Sequence, residues 1–237
     1  MARVNVVLFD LDDTLLDYSG DAARCWSEAC ATVAAPAGVD ADALRAAIRD
    51  VGTLFWSDPE RHRLERTDMM GAWRKIVEGA LDRCGGLRDG LAARVAADFA
   101  DRRRATWSLF PDALPALERL RARGIALGLV TNGDAGMQRE KIVRWDLARF
   151  FDVVVIEGEF GCGKPDARVY RHALETLGAH PRDAWMVGDH LVWDVLGAKQ
   201  VGVSAAWLDR SRQGLPADAP VVPDRIFGSL ADLTTLE

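Results

Sequence analysis

The sequence predicts an α/β fold built on a parallel sheet, with a bundle of helices inserted after the first strand. Three observations carry that prediction. Residues 4–9 form an apolar run, β-branched or aromatic at most positions, that ends abruptly in Asp10, Asp12, Asp13 and Thr14. Such an uninterrupted run suits a strand covered on both faces, as in parallel sheets. From Phe110 onward, strand-length apolar runs alternate with helical patterns, which means βαβ units. Between these regions, residues from about 20 to 106 show helical periodicity and almost no strand signal.

Each element follows from its local pattern. In the insert, residues 21–35 carry Ala22, Cys25, Trp26, Ala29 and Val33 on one helical stripe. Residues 40–55, 69–84 and 87–107 repeat that spacing. Breaks fall at Pro36-Ala-Gly38, Ser57-Asp-Pro59 and Gly85-Gly86, so about four helices are expected. Beyond the insert, 111–123 reads as a helix ending at Gly124, 125–130 as a strand and 134–145 as a helix. Then come a strand over 152–156, a helix over 166–177 ending at Gly178, and a strand over 184–187. A helix over 191–200 and a strand over 203–207 follow. The proline-rich stretch 213–223 reads as loop, and 229–236 as a short terminal helix. No crossover helix of the βαβ kind follows the first strand directly. The expected organisation is therefore an α/β core from 1–17 and 108–237, and a helical domain from 18–107.

Composition bounds the function. The chain has 237 residues, 49% hydrophobic and 28% charged, which suits a buried core and a polar surface. Its formal net charge of −6 and pI of about 5.3 argue against nucleic acid as the main partner, which needs a basic footprint. No apolar run reaches the roughly 18 residues of a membrane span. No basic segment followed by a small-residue cleavage site precedes the first strand. The cysteines Cys25, Cys30, Cys84 and Cys162 lack CxxC spacing and read as packed or free thiols in a reducing cytoplasm. Both a monomer and a homodimer agree with this composition.

The chemistry sits at the strand ends. Carboxylates crowded at the end of a buried strand repel each other and lose hydration, which a fold tolerates when a cation or a reaction uses them. Three further strands end in polar clusters: Thr131-Asn132-Gly133, then Gly161 to Lys164, then Gly188-Asp189-His190 with Asp194 beyond. In a parallel sheet these clusters share one rim with Asp10 and Asp12, the rim where ligands bind. Asp10, Asp12, Asp189 and Asp194 supply hard oxygen donors suited to Mg²⁺. Lys164 adds a point charge, Thr131 a hydroxyl at a glycine-containing turn, and Gly161 and Gly163 allow close backbone approach. A cation between carboxylates and an anion, with a lysine nearby, suits phosphoryl transfer. An aspartate can also attack phosphorus, and a second acid near the leaving oxygen can work as acid and then as base. In a regular strand the two-residue spacing puts Asp10 and Asp12 on one side, whereas a bend would give them separate tasks.

Taken in order, Asp10-Leu-Asp12-Asp-Thr14, Thr131-Asn-Gly133, Lys164-Pro165 and Gly188-Asp189 with Asp194 resemble the four signatures of the haloacid dehalogenase superfamily. The resemblance covers essentially the whole chain and is closest to phosphatases with a helical cap after the first strand. It implies a Rossmann-like sheet of order 5-4-1-2-3, and Mg²⁺ as cofactor. Asp10 then corresponds to the nucleophile and a metal ligand. Asp12 corresponds to the acid/base, with its backbone carbonyl on the metal. Thr131 and Asn132 correspond to the phosphate-binding pair, and Lys164 to the lysine that holds nucleophile and phosphoryl group. Asp189 corresponds to a direct metal ligand, and Asp194 to a residue that holds a metal-bound water or orients the loop. Leu129 to Gly133 with Gln138 to Ile142, and Met186 to Asp189 with Asp194, are also similar to the subgroup of N-acylneuraminate-9-phosphate phosphatase and pyrimidine 5′-nucleotidases, and glycolate-phosphate phosphatases share much of this. His190 and Trp193 depart from the smaller polar residues common there.

Other residues have two readings. Glu159 either steadies Lys164 or is a surface carboxylate, and His190 reads as packing or a rim contact. Arg61, His62, Arg63 and Arg66 near Trp56 form either an anion site or a solvated helix face. Trp26 and Trp73 fall on helical stripes and are expected in the core. The expected function is a Mg²⁺-dependent phosphatase acting on a small phosphorylated metabolite. The competing readings are a 2-haloacid dehalogenase, a sugar-phosphate mutase and a non-catalytic binding protein on the same fold.

Overall fold

In the computed structural model, residues 4–86 and 88–235 are described. The chain forms two compact units, Met1–Asp17 with Ser108–Glu237, and Tyr18–Trp107.

The first unit is an α/β core. Its strands are β1 (Val6–Phe9), β2 (Leu16–Asp17), β3 (Ser108–Leu109), β4 (Ala126–Thr131), β5 (Val153–Ile156), β6 (Ala184–Gly188), β7 (Ser204–Leu208) and β8 (Arg225–Phe227). Six of them form one sheet in the order β5-β4-β1-β6-β7-β8, with every neighbouring pair parallel. β1 lies at the centre, with Val6 to Phe9 in register with Ala126 to Leu129 on one side and Ala184 to Val187 on the other. Its burial explains its composition: Val7, Leu8 and Phe9 expose no surface, because both faces are covered. The expected order of five strands is present, with β8 added outside β7. β8 has three residues, two of them exposed, too short for an apolar pattern to announce it. β2 and β3 form a separate antiparallel pair, Leu16 opposite Leu109.

The second unit, Tyr18–Trp107, is helical. It holds α1 (Ala22–Ala29), extended by a π-helical turn Cys30–Ala34, then α2 (Ala41–Ser57), α3 (Pro59–Glu65), α4 (Met69–Arg83) and α5 (Leu91–Thr106). Aspartates start three of these helices. The side chains of Asp40, Asp58 and Asp68 accept from Ala43, Arg61 and Gly71 N–H groups. The helix α3 goes beyond the expected four. Asp58-Pro59 reads as a break, yet an aspartate cap followed by proline at the first helical position also begins a helix. Leu87, the expected start of the last helix, lies outside the described residues. As expected, Trp73 is buried, and it meets the Phe99 ring edge-on at 5.0 Å; Trp26, expected in the core, is only half-buried and stacks on the same ring at 3.5 Å between centroids.

The core helices are α6 (Ala113–Ala122), α7 (Ala135–Arg144), α8 (Glu157–Phe160), α9 (Ala167–Thr176) and α10 (Gly197–Gln200). The α-helix expected over 191–200 is instead a π-helical turn, Leu191–Leu196, leading into α10. Within this wider turn Asp194 is buried. A 3₁₀ helix, Leu230–Thr235, stands where the terminal helix was expected, and Leu236 lies outside the described residues. No described helix is long and apolar enough to cross a membrane.

Candidate active site

The loop after β1 starts the site. The Asp10 N–H still donates to Val187 O at 3.0 Å, in sheet register. The chain then folds back on itself. Asp13 adopts a left-handed conformation with φ 59°, and the Leu15 and Leu16 N–H groups both return to Leu11 O. Asp10 and Asp12 therefore do not lie on a regular strand, and each meets a different partner.

Asp10 meets Lys164. The lysine, 1% exposed, donates from Nζ to Asp10 Oδ1 at 2.5 Å and to Asp194 Oδ1 at 2.7 Å. Asp194 Oδ2 accepts from the His190 N–H at 2.9 Å, which folds the loop after β6 around it. Single carboxylate oxygens of Asp10, Asp189 and Asp194 all lie within 4.8 Å of one another. Burial pushes the Asp10 pKa up to about 7, against the pull of Lys164 and with a further push from Asp194. Asp189 is pushed up to about 9, by desolvation first and then by Asp10, Asp194 and Asp13. Burial alone would strip the charge from Lys164, yet Asp10 and Asp194 outweigh it and raise its pKa. Three acids gathered this closely, two of them pushed up by burial and by their acidic neighbours, with oxygen as the sole donor type, suit a hard divalent cation.

Asp12 meets α7. Lys141 Nζ lies 2.8 Å from each Asp12 carboxylate oxygen, and Gln138 Nε2 donates to Asp12 Oδ2 at 3.0 Å. Gln138 Nε2 also reaches Thr131 Oγ1 at 2.6 Å and Asn132 O at 3.0 Å. The sequence reading gave Gln138 and Lys141 no role. A signal did exist: they share a helical face with Met137 and Ile142, so two polar residues occupy core-facing positions.

The loops after β4 and β5 are stitched together. The Asn132 amide donates to Lys164 O at 2.9 Å and accepts from Lys164 N at 2.7 Å. Its side chain thus fixes the lysine backbone. Gly163 is required there, since a Cβ would fall 2.5 Å from Asn132 Oδ1. Glu157 accepts from the Gly133 N–H at 3.0 Å. Glu159 instead forms a surface pair with Arg139, at 2.6 Å to each oxygen, in line with its bland reading. His190 caps its own turn, accepting from Val192 and Trp193 N–H groups, and stacks on Trp193 at 3.8 Å. In the helical unit Arg61 lies over the Phe55 ring at 5.3 Å, and Arg63 pairs with Glu60 at 2.7 Å.

A family model for haloacid dehalogenase-like hydrolases matches residues 4–202. The chain belongs to that family. The hydrolase is 38% identical to phosphoserine phosphatase of Thermus thermophilus over 182 residues, covering 75% of this chain and 72% of that protein. It is 29% identical to N-acylneuraminate-9-phosphatase of Rattus norvegicus, covering 100% of this chain and 94% of that protein. Among solved structures, a 2-haloacid dehalogenase from Pseudomonas syringae pv. tomato superposes on the hydrolase with a TM-score of 0.67 at 30% identity. That match covers 98% of this chain and 96% of the other.

Proposed function

We propose that this hydrolase cleaves a small phosphomonoester, with Asp10 as nucleophile and Mg²⁺ as cofactor. The observation that carries the reading is the cluster of buried Asp10, Lys164 and Asp194 with half-buried Asp189, a nucleophile oriented by one lysine beside two further acids. The donor set is all oxygen, so the acids fit Mg²⁺ better than Zn²⁺. Asp10, Asp189 and Asp194 would hold the ion, with the Asp12 carbonyl. Once bound, it would neutralise the carboxylates and polarise the phosphoryl oxygens.

The protein groups then divide the work. Lys164 occupies Asp10 Oδ1 and leaves Oδ2 for attack. The Asp10 Oδ2–P bond forms as the ester O–P bond breaks, and Asp12 hands a proton to the departing oxygen. Water next attacks the aspartyl-phosphate, Asp12 takes its proton, and phosphate leaves Asp10 as a carboxylate. The Thr131 hydroxyl and the Lys164 ammonium offset the phosphoryl charge. Asn132 contributes by locking the Lys164 backbone. The relatives named for phosphoserine and N-acylneuraminate 9-phosphate chemistry support a small phosphorylated metabolite as substrate. Four unpaired thiols fit a cytoplasmic setting.

The 2-haloacid dehalogenase neighbour favours a second reading, carbon–halogen cleavage by the same aspartate. Halide leaves without a proton and without a cation, so that chemistry has no use for a proton donor at Asp12 or for the two acids, Asp189 and Asp194, that stand beside the nucleophile. A phosphate-release panel with and without Mg²⁺, run beside halide release in EDTA, separates the two. Phosphate release should need Mg²⁺ and fall on the order of 10³-fold or more in D10N. Full turnover by D10N, or halide release in EDTA, would overturn the proposal.

A further inference from the structure

Lys141 is buried to 1% exposure on the core-facing side of α7, where an apolar residue would pack without penalty. Burying an ammonium carries a desolvation penalty that only close partners offset. Here the partners are both oxygens of Asp12, at 2.8 Å, and Gln138 Oε1 at 2.7 Å. The Gln138 amide continues the chain to Asp12, to the Thr131 hydroxyl and to the Asn132 carbonyl. Each of the two aspartates assigned to chemistry thus has its own buried lysine: Lys164 for Asp10 and Lys141 for Asp12. The Asp12 side chain keeps 24% of its surface exposed, so a proton can still reach it.

We propose that Lys141, with Gln138, is a positioning residue that fixes the Asp12 carboxylate for the water-activating step. The inference rests on the phosphatase reading above. In that step the water oxygen bonds to phosphorus, the Asp10 Oδ2–P bond breaks, and the water proton passes to Asp12. A cation set evenly across both Asp12 oxygens, with Gln138 Nε2 on Oδ2, holds the carboxylate in one orientation, so that the attacking water meets a fixed proton acceptor. With a leaving group that departs unprotonated, that positioning matters only for hydrolysis of the phosphoenzyme.

The test uses p-nitrophenyl phosphate with Mg²⁺, because nitrophenolate leaves without protonation. Formation of the phosphoenzyme then bypasses Asp12, whereas its hydrolysis does not. Nitrophenol release is followed through the first turnover, and acid-quenched protein is weighed intact to read the phosphorylated fraction. In K141M the first-turnover rate should stay within about twofold, and steady-state turnover should drop roughly 10- to 100-fold, the scale of a misplaced base. Phosphoenzyme should accumulate to most of the protein. K141R should recover at least half of the lost turnover, and Q138M should raise the phosphorylated fraction even if K141M folds poorly. Equal loss in both steps, or no trapped phosphoenzyme in any variant, would overturn the role of Lys141 while leaving the phosphatase reading intact. A wild-type protein that releases no phosphate under these conditions would overturn both.

Discussion

Lys164 shows how much one side chain can govern. Its ammonium is enclosed between Asp10 and Asp194 at 2.5 and 2.7 Å, and its backbone is gripped by Asn132. Lys164→Met would leave two buried acids facing each other without a counter-charge. Removing one partner of a buried ion pair typically destabilises by about 3–5 kcal/mol. The variant should unfold at correspondingly lower denaturant concentration and lose phosphate release, as urea melts and a turnover assay would record. Asp10, Thr131, Asp189 and Asp194 were legible in the sequence because each interrupts or closely follows an apolar run, and Lys164 because it ends the glycine-containing cluster beyond the 152–156 run. Lys141 and Gln138 were harder to see, since a polar residue on a helix ordinarily faces solvent and only their place on the face of Met137 and Ile142 pointed inward. Their inward direction depends on the bend after β1, which brings Asp12 against a helix more than a hundred residues away in the chain.

At the scale of elements, the loop after β1 is braced from the far end of the core. Arg210, just beyond β7, donates to Thr14 O at 2.7 Å, pairs with both oxygens of Asp112, and lies 3.7 Å from the Phe110 ring centroid. Asp112 also accepts from the Ser229 hydroxyl and the Leu230 N–H. Burial would raise the Asp112 pKa, but Arg210, Ser229 and Leu230 outweigh it and hold it below the usual carboxylate range. The folded state therefore keeps Asp112 ionised at pH values where the unfolded chain is already protonating. Its stabilisation is complete above the unfolded pKa of about 3.9 and is lost as the pH falls through the folded value. D112N should be less stable at neutral pH by about 1–3 kcal/mol, and the gap should narrow in acid, as denaturant melts at pH 7 and pH 3 would reveal. The alternation of strands and helices was readable because the apolar period changes along the chain. The π-helical turn after β6 was not, because its register follows the inward pull on Asp194, a contact that local sequence does not encode.

At the scale of the whole molecule, the acid cluster sets up a conflict between folding and cation binding. Burial and their acidic neighbours push Asp10 and Asp189 up to about 7 and about 9, well above ordinary carboxylates. A group whose folded pKa is raised takes stability from the metal-free fold as pH climbs from about 4 toward 9. Bound Mg²⁺ should cancel that loss. At about 100 times its dissociation constant it should add about 2.7 kcal/mol, or roughly 5–10 °C in melting temperature. The shift should be larger at pH 9 than at pH 6, because protons compete for the same oxygens at the lower pH. Asp189→Asn should abolish most of it, and a melting series over pH with and without Mg²⁺ would check both statements. The parallel sheet and five of its six strands were visible in the sequence as short, mainly apolar runs. β8 was not, because three residues with two facing solvent carry no period.

That same short strand has a consequence for how copies of the molecule behave in concentrated solution. β7 is an apolar run, Ser-Ala-Ala-Trp-Leu, and without β8 its outer backbone would offer free donors and acceptors to any passing chain. β8 occupies them and presents a three-residue rim led by the exposed Arg225, with Pro223 just before it. A charged, brief, proline-flanked border is a poor template for further strand addition. On that side of the sheet, the shortest of its six strands guards against polymerisation.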